Sequence, residues 1–163
     1  MKKFDVVAES NQTIFEDVLI ASGLDNYINV VVLSNSKLRT SPDGLCCKVV
    51  IINQVAQSAA DAMQTKKQAH AAIIVNEDLF DRLDEKTQKF VAENIVAQIS
   101  FDDENDRVLN SKPDFQFGTG MIRKHGFEYL ESILLAIQSV QQSMDEEAQE
   151  KKEAKTKKRK STL

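Results

Sequence analysis

The chain has 163 residues, 42% of them hydrophobic and 28% charged, with 5 Gly and 2 Pro, which suits one domain with a buried core plus a short appendage. Its longest hydrophobic runs are about five residues, 71–75 and 133–137, against the roughly 18–20 that a bilayer span needs, so no membrane partner is expected. The net charge of −4 hides an asymmetry: residues 151–163 carry seven of the 21 Lys and Arg and one of the 25 acids, a net +6, which leaves −10 on residues 1–150. The expected organisation is therefore a domain over 1–150 and a basic tail over 151–163.

No apolar stretch follows Lys2-Lys3 near the N-terminus, so no secretory signal is expected. The two cysteines are adjacent, Cys46 and Cys47, and cannot staple distant segments; a reducing cytoplasm is the expected location. Consecutive residues entering a strand point to opposite faces, which predicts one buried and one exposed thiol. Two histidines, His70 and His125, offer little for a transition-metal site; each reads as a surface or rim residue.

In chain order, the spacing of Ile14, Phe15, Val18 and Leu19 predicts a first helix over about 13–22, stopped at Ser22-Gly23. Ile28–Leu33, Lys48–Ile52 and Ala71–Val75 are short β-branched runs that read as three strands. Ser41-Pro42-Asp43-Gly44 is a turn, since Pro presets φ and Gly accepts φ > 0, and it is expected to join the first two strands as a hairpin. Residues 54–68, rich in Ala, Gln and Ser, read equally as a short helix or a polar crossover. Asn76-Glu77-Asp78 should cap a turn of helix through Leu83, and Asp84 with Thr87 a longer helix to about Phe101. Residues 110–120, with Pro113, Gly118 and Gly120, form a loop. From Phe127 the chain turns helical again, with Phe127, Leu130, Leu134, Ile137 and Met144 in heptad spacing and Gln141 interrupting the seam. The expected fold is α+β: a small three-stranded sheet backed by the Glu85–Phe101 and Phe127–Met144 helices, followed by a solvated helix or a disordered tail.

On a helical wheel Asn94 and Gln98 fall within the apolar arc shared by Phe90, Val91 and Phe101. Two amides there need partners, because burying them bare costs a few kcal/mol. The run Ile73-Ile74-Val75-Asn76-Glu77-Asp78-Leu79-Phe80-Asp81-Arg82-Leu83, continuing Asp84-Glu85-Lys86-Thr87-Gln88-Lys89-Phe90-Val91, resembles the lead-in to the zinc helix of small metallopeptidase-like proteins of the H-E-x-x-H type, many encoded by tailed phages. The resemblance spans about residues 28–137 and implies a scaffold of that kind. Laid on it, the first ligand His falls on Asn94, the general-base Glu on Ile95, the second His on Gln98, and the third, acidic ligand on Glu104 or nearby.

Those substitutions remove the chemistry the resemblance carries. A carboxamide nitrogen has no lone pair for Zn²⁺, and Ile95 cannot take a proton from a metal-bound water. The expected function is a non-catalytic binding module on a degenerate scaffold, without metal or other cofactor, acting on a host cytoplasmic protein if phage-encoded. One alternative is a metal-dependent hydrolase with non-standard ligands, recruiting a metal through Glu104, Asp106 and the amides. Another is a nucleic-acid-associated factor using the tail cations Lys151, Lys152, Lys155, Lys157, Lys158, Arg159 and Lys160. That tail lacks aromatics, so its contacts would be to phosphates and salt-sensitive. Residues 102–106 have the D-x-E-x-D start of a calcium loop, but Arg107 stands where the turn needs Gly and Pro113 where the bidentate Glu belongs; a solvated helix end is expected instead.

Overall fold

The computed structural model describes residues 4–41, 45–52, 69–111 and 119–161, with the side chains of 119 and 158–161 left aside. The crossover segment 54–68 and the Pro-Asp-Gly of the expected turn lie outside the described residues.

The fold is α+β. One four-stranded sheet has the order β1-β2-β4-β3, from Asp5–Val6, Val30–Ser34, Ala71–Val75 and Cys47–Ile51 respectively. All three expected strands are present, and the two-residue β1, too short to leave a pattern, extends the sheet along β2. β2 and β4 run parallel (Val30↔Ala71 to Ser34↔Val75), while β3 is antiparallel to β4 (Cys47↔Val75, Val49↔Ile73). The expected hairpin between the first two long strands does not form, because β4 lies between them. All five β4 residues, Ala-Ala-Ile-Ile-Val, are buried, and a strand apolar on both faces gains most at the centre of a sheet. The 41–45 turn closes on itself instead: Ser41 and Leu45 exchange backbone hydrogen bonds of 2.9 and 2.8 Å, with Leu45 at φ 57°.

Helix α1, Glu9–Ser22, begins a turn earlier than the apolar spacing predicts and ends at Gly23 with φ 76°. Its polar first turn is explained by Asn11, which is buried and donates to the Glu77 and Asp81 carboxylates at 2.9 and 2.8 Å. Those acids sit on and just after a short helix α2, Glu77–Phe80, capped by Asn76, whose side-chain oxygen accepts from Leu79 N–H at 3.2 Å. Phe80 also stacks on Phe15 of α1, with ring centroids 5.4 Å apart.

Helix α3 starts as expected, with the Asp84 carboxylate accepting from Thr87 N–H at 2.7 Å, but it spans Glu85–Val96 and stops five residues short of Phe101. Residues Ile99–Asp102 form β5, paired antiparallel with β6, Arg107–Asn110. Here period two wins over period 3.6: Ile99 and Phe101 point one way, and Phe101 pairs with Val108 across the ribbon. The acidic 102–106 run is therefore a hairpin turn rather than a helix end. In that turn Asp102 accepts from Asn105 and Arg107, and these bonds hold its carboxyl below the usual range.

Helices α4, Thr119–His125, and α5, Phe127–Ser161, follow, separated by Gly126 at φ 81°. α5 is continuous into the tail. Leu130, Ile133 and Ile137 join the core, while Phe127 is 65% exposed, which corrects its expected place in the seam. α5 packs on a globular surface, not on one partner helix, so its apolar arc broadens to take in Ile133 and drops the first heptad position. Among the described residues no helix is long and apolar enough to cross a membrane.

Candidate functional site

The positions aligned with metal ligands fall at the C-terminal end of α3, just past it, and in the β5–β6 turn. Asn94 and Gln98 are both buried, as the wheel suggests, and Ile95 belongs to the core. Asn94 is on α3, but Gln98 lies past the helix end; its N–H donates to Ile95 C=O at 3.2 Å, and its own C=O accepts from Ser111 N–H at 2.7 Å. Ala97, the C-cap, keeps helical angles and donates its N–H to Glu93 C=O at 3.0 Å, so the turn that carries Asn94 tightens only at Gln98. Glu104 is exposed in the β5–β6 turn, separated from the helix end at Val96 by residues 97–103, which include the four-residue strand β5, about 10 Å long. Asp106 occupies the same exposed turn with φ 48°. Among the described residues no group of three or more His, Cys, Asp or Glu is placed to hold a metal.

The remaining chemistry-bearing side chains have structural partners. His70 Nδ1 accepts from Asn29 N–H at 2.9 Å, pinning the entry to β2. His125 stacks on Tyr129 (5.5 Å), meets Phe90 edge-on (5.2 Å), and has Nε2 3.4 Å from Glu93 Oε2, which also pairs with Lys124 Nζ at 3.1 Å. Cys46 and Cys47 are free and both buried, correcting the expectation of one exposed thiol. Cys46 ends the 41–45 turn before strand alternation begins, and its carbonyl accepts from Asn76 N–H at 2.9 Å. Burial, reinforced by Cys46, pushes the Cys47 thiol well above its ordinary value, so it stays protonated and unreactive.

A concavity lies elsewhere. A groove of about 680 Å³ runs between α1, α3 and α4, with Ile14, Val18, Ala21, Val96, Ala97 and Met121 along it. Ala21 and Ala97, near the ends of α1 and α3, are the small residues that leave room for it. Asp17, Glu85 and Glu93 stand on its rim with Lys89 and Lys124. Ser22, Val96 and Ala97 also line a second depression of about 340 Å³, so the two form one trough. The far end holds Tyr27 and Phe101, stacked 5.7 Å apart, with Tyr27 60% exposed and Asp103 beside them.

No family model, curated protein or solved structure matches this chain. None of the trough residues is conspicuous in the sequence. Ala21, Ala97, Met121 and Tyr27 come from four separate segments, and the one local signal is the unusual exposure of Tyr27, which only a fold reveals. The tail cations Lys151, Lys152, Lys155 and Lys157 are exposed on α5, on a helix that continues through Ser161.

Proposed function

We propose that this chain is a non-catalytic protein-binding module whose trough between α1, α3 and α4 seats an apolar-faced segment of a partner. The observation that carries the reading is the trough itself, with an apolar lining that ends on the stacked pair of exposed Tyr27 and half-buried Phe101. Apolar clefts with a few polar rim groups are the usual form of a recognition site. The rim supplies the charge preference. It carries Asp17, Glu85, Glu93 and Asp103 against Lys89 and Lys124, with Lys124 already paired to Glu93. A partner segment with basic residues flanking its apolar anchors complements that rim.

Two adjacent, buried, unoxidised thiols support work in the cytoplasm. On the resemblance to phage-encoded proteins, a host protein is the expected partner. The metal-dependent hydrolase reading has less support, since Glu104 and Asp106 stand in an exposed turn apart from Asn94 and Gln98.

The test is site-specific photo-crosslinking in cells from a probe at Ala97, with the same probe at Gln138, on the solvent side of α5, as control. A single dominant adduct from Ala97, lost with Ala21→Glu and absent from the control, supports the reading. Equal adducts from both probes, or an adduct indifferent to Ala21→Glu in a folded protein, removes it.

A further inference from the structure

The C-terminal helix carries one seam through two environments. Its four-three alternation runs through Leu130, Leu134, Ile137, Gln141, Met144 and Ala148. Continued in the same register it meets Lys151, Lys155 and Lys158, with Lys152 and Arg159 within the same arc of about 120° at 100° per residue. Lys157 and Lys160 fall on the opposite side. The face that packs on the body as a hydrophobic stripe thus becomes, on the same helix, a row of cations.

The change coincides with the last contacts to the body. Arg39 pairs with Asp145 at 2.9 Å, and Arg82 grips Glu147 through two bonds of 2.9 and 3.1 Å; beyond them residues 148–157 are exposed.

We propose that this lysine seam is a binding strip for the phosphate backbone of nucleic acid, held as a helix clear of the acidic body. Three features single out that ligand. A second copy of the helix in a coiled coil would set lysine against lysine at each seam position. Insertion of a helix into a membrane surface requires an apolar face, and residues 148–161 contain no hydrophobic side chain larger than alanine, so a membrane would offer these cations surface charge alone. No aromatic residue follows Tyr129, so bases are not stacked and sequence is not read; what remains is a row of ammonium groups suited to phosphates.

The helical state matters because residues 1–150 carry −10. A flexible +6 tail would fold back onto that charge, and a polyanion would be repelled from it. At 1.5 Å per residue, Lys155 lies about 12 Å and Lys158 about 16 Å along the axis from Glu147. Both distances exceed the roughly 8 Å over which charges are felt at physiological ionic strength, whereas Lys151, about 6 Å along the axis, is still within reach of Glu147. This strip is independent of the trough, and either site can fail without the other.

The experiment is fluorescence anisotropy of a labelled DNA duplex and a labelled single-stranded RNA, each about 20 nucleotides long, with the full-length protein across a salt series from about 50 to 200 mM. Binding should weaken with a log–log slope of about −3 to −5, as three to five phosphates are neutralised. Lys151→Glu with Lys155→Glu should lower affinity roughly tenfold or more at low salt. Lys157→Glu with Lys160→Glu changes the net charge equally but spares the seam, and should stay within about threefold of the wild type. Ala154→Pro keeps every charge and breaks the helix, and should behave like the seam variant. Circular dichroism and a denaturant melt confirm that the body is folded in each variant. Equal losses from the two double variants, or an unaffected Ala154→Pro, would mean a charged tail without a site and overturn the proposal. So would absence of retention at the lowest salt, or tighter binding to phosphatidylserine vesicles than to either nucleic acid.

Discussion

The two halves of α5 have the same backbone and the same heptad register, yet they belong to different parts of the molecule. From Leu130 to Met144 the seam is apolar: Leu130 and Ile137 are fully buried, and Val140 and Met144 pack against the core from its edge. From Ala148 onward the seam is lysine and every described residue is exposed. A helix of this length does not need tertiary support along all of it, because propagation adds a hydrogen bond for each residue fixed once the turn is nucleated. The packed half supplies that nucleus. The lesson is that periodicity reports which face of a helix is distinct, and only residue chemistry reports whether that face meets protein or water.

The sharpest way to break the comparison is at its buried end. Ile137→Ala should destabilise the domain by about 2–5 kcal/mol in a denaturant melt, since a fully buried branched side chain leaves a cavity. Lys155→Ala, on the same seam, should leave the midpoint unchanged. A comparable shift for both would mean that the arm also docks on the body.

Asn11 tests the body's own polar tie between α1 and α2. Its amide donates to two carboxylates, Glu77 and Asp81, so Asn11→Ala removes two charge-assisted hydrogen bonds and should cost about 1–3 kcal/mol in a denaturant melt, although Glu77 keeps the Ala8 N–H and Asp81 is open to water. No loss at neutral pH would mean that the first turn of α1 frays without consequence.

Gln141 marks the one polar break in the packed seam, and its buried Oε1 has no hydrogen-bond partner among the described residues. Gln141→Leu continues the apolar stripe and should raise stability by about 1 kcal/mol. A destabilised variant would show that the amide is needed where it stands.

The smallest effect is expected at the hinge between the halves. Arg82 holds the Glu147 carboxyl below its usual range, so the tether contributes above the unfolded carboxylate value of about 4.3 and is lost as pH falls through the lower folded value. Both groups are solvent-exposed, so global stability should hardly move. Hydrogen-exchange protection, taken relative to the intrinsic rate at each pH, should instead fall around residues 145–150 at acid pH, and in Arg82→Gln at every pH. Unchanged exchange there would mean that the apolar seam alone fixes the point of departure.

Much of the fold was legible locally. Three strands and both capped helix starts, at Asn76 and Asp84, were readable because β-branched runs and capping side chains act within a few residues. The end of α3 was not, since Ile99-Ser100-Phe101-Asp102 fits either period; pairing with residues 107–110 decided it. The early start of α1 was hidden for a similar reason, because Asn11 is held by acids 66 and 70 residues away. The candidate site was the least legible part, its apolar lining being drawn from three helices and the β5 strand. Asn94 and Gln98 drew attention as buried amides and are buried, but a helix end falls between them.

The sequence by itself determined the α+β composition, the three main strands, and the division of charge between body and tail, because these follow from side-chain chemistry and short-range periodicity. Tertiary structure alone decided that β4 separates β2 from β3, that both cysteines are buried, and that α1, α3 and α4 leave a trough between them. Each of those depends on which distant surfaces meet. A chain's local preferences are blind to that, because burial and strand pairing are gained only when residues far apart in sequence are brought together.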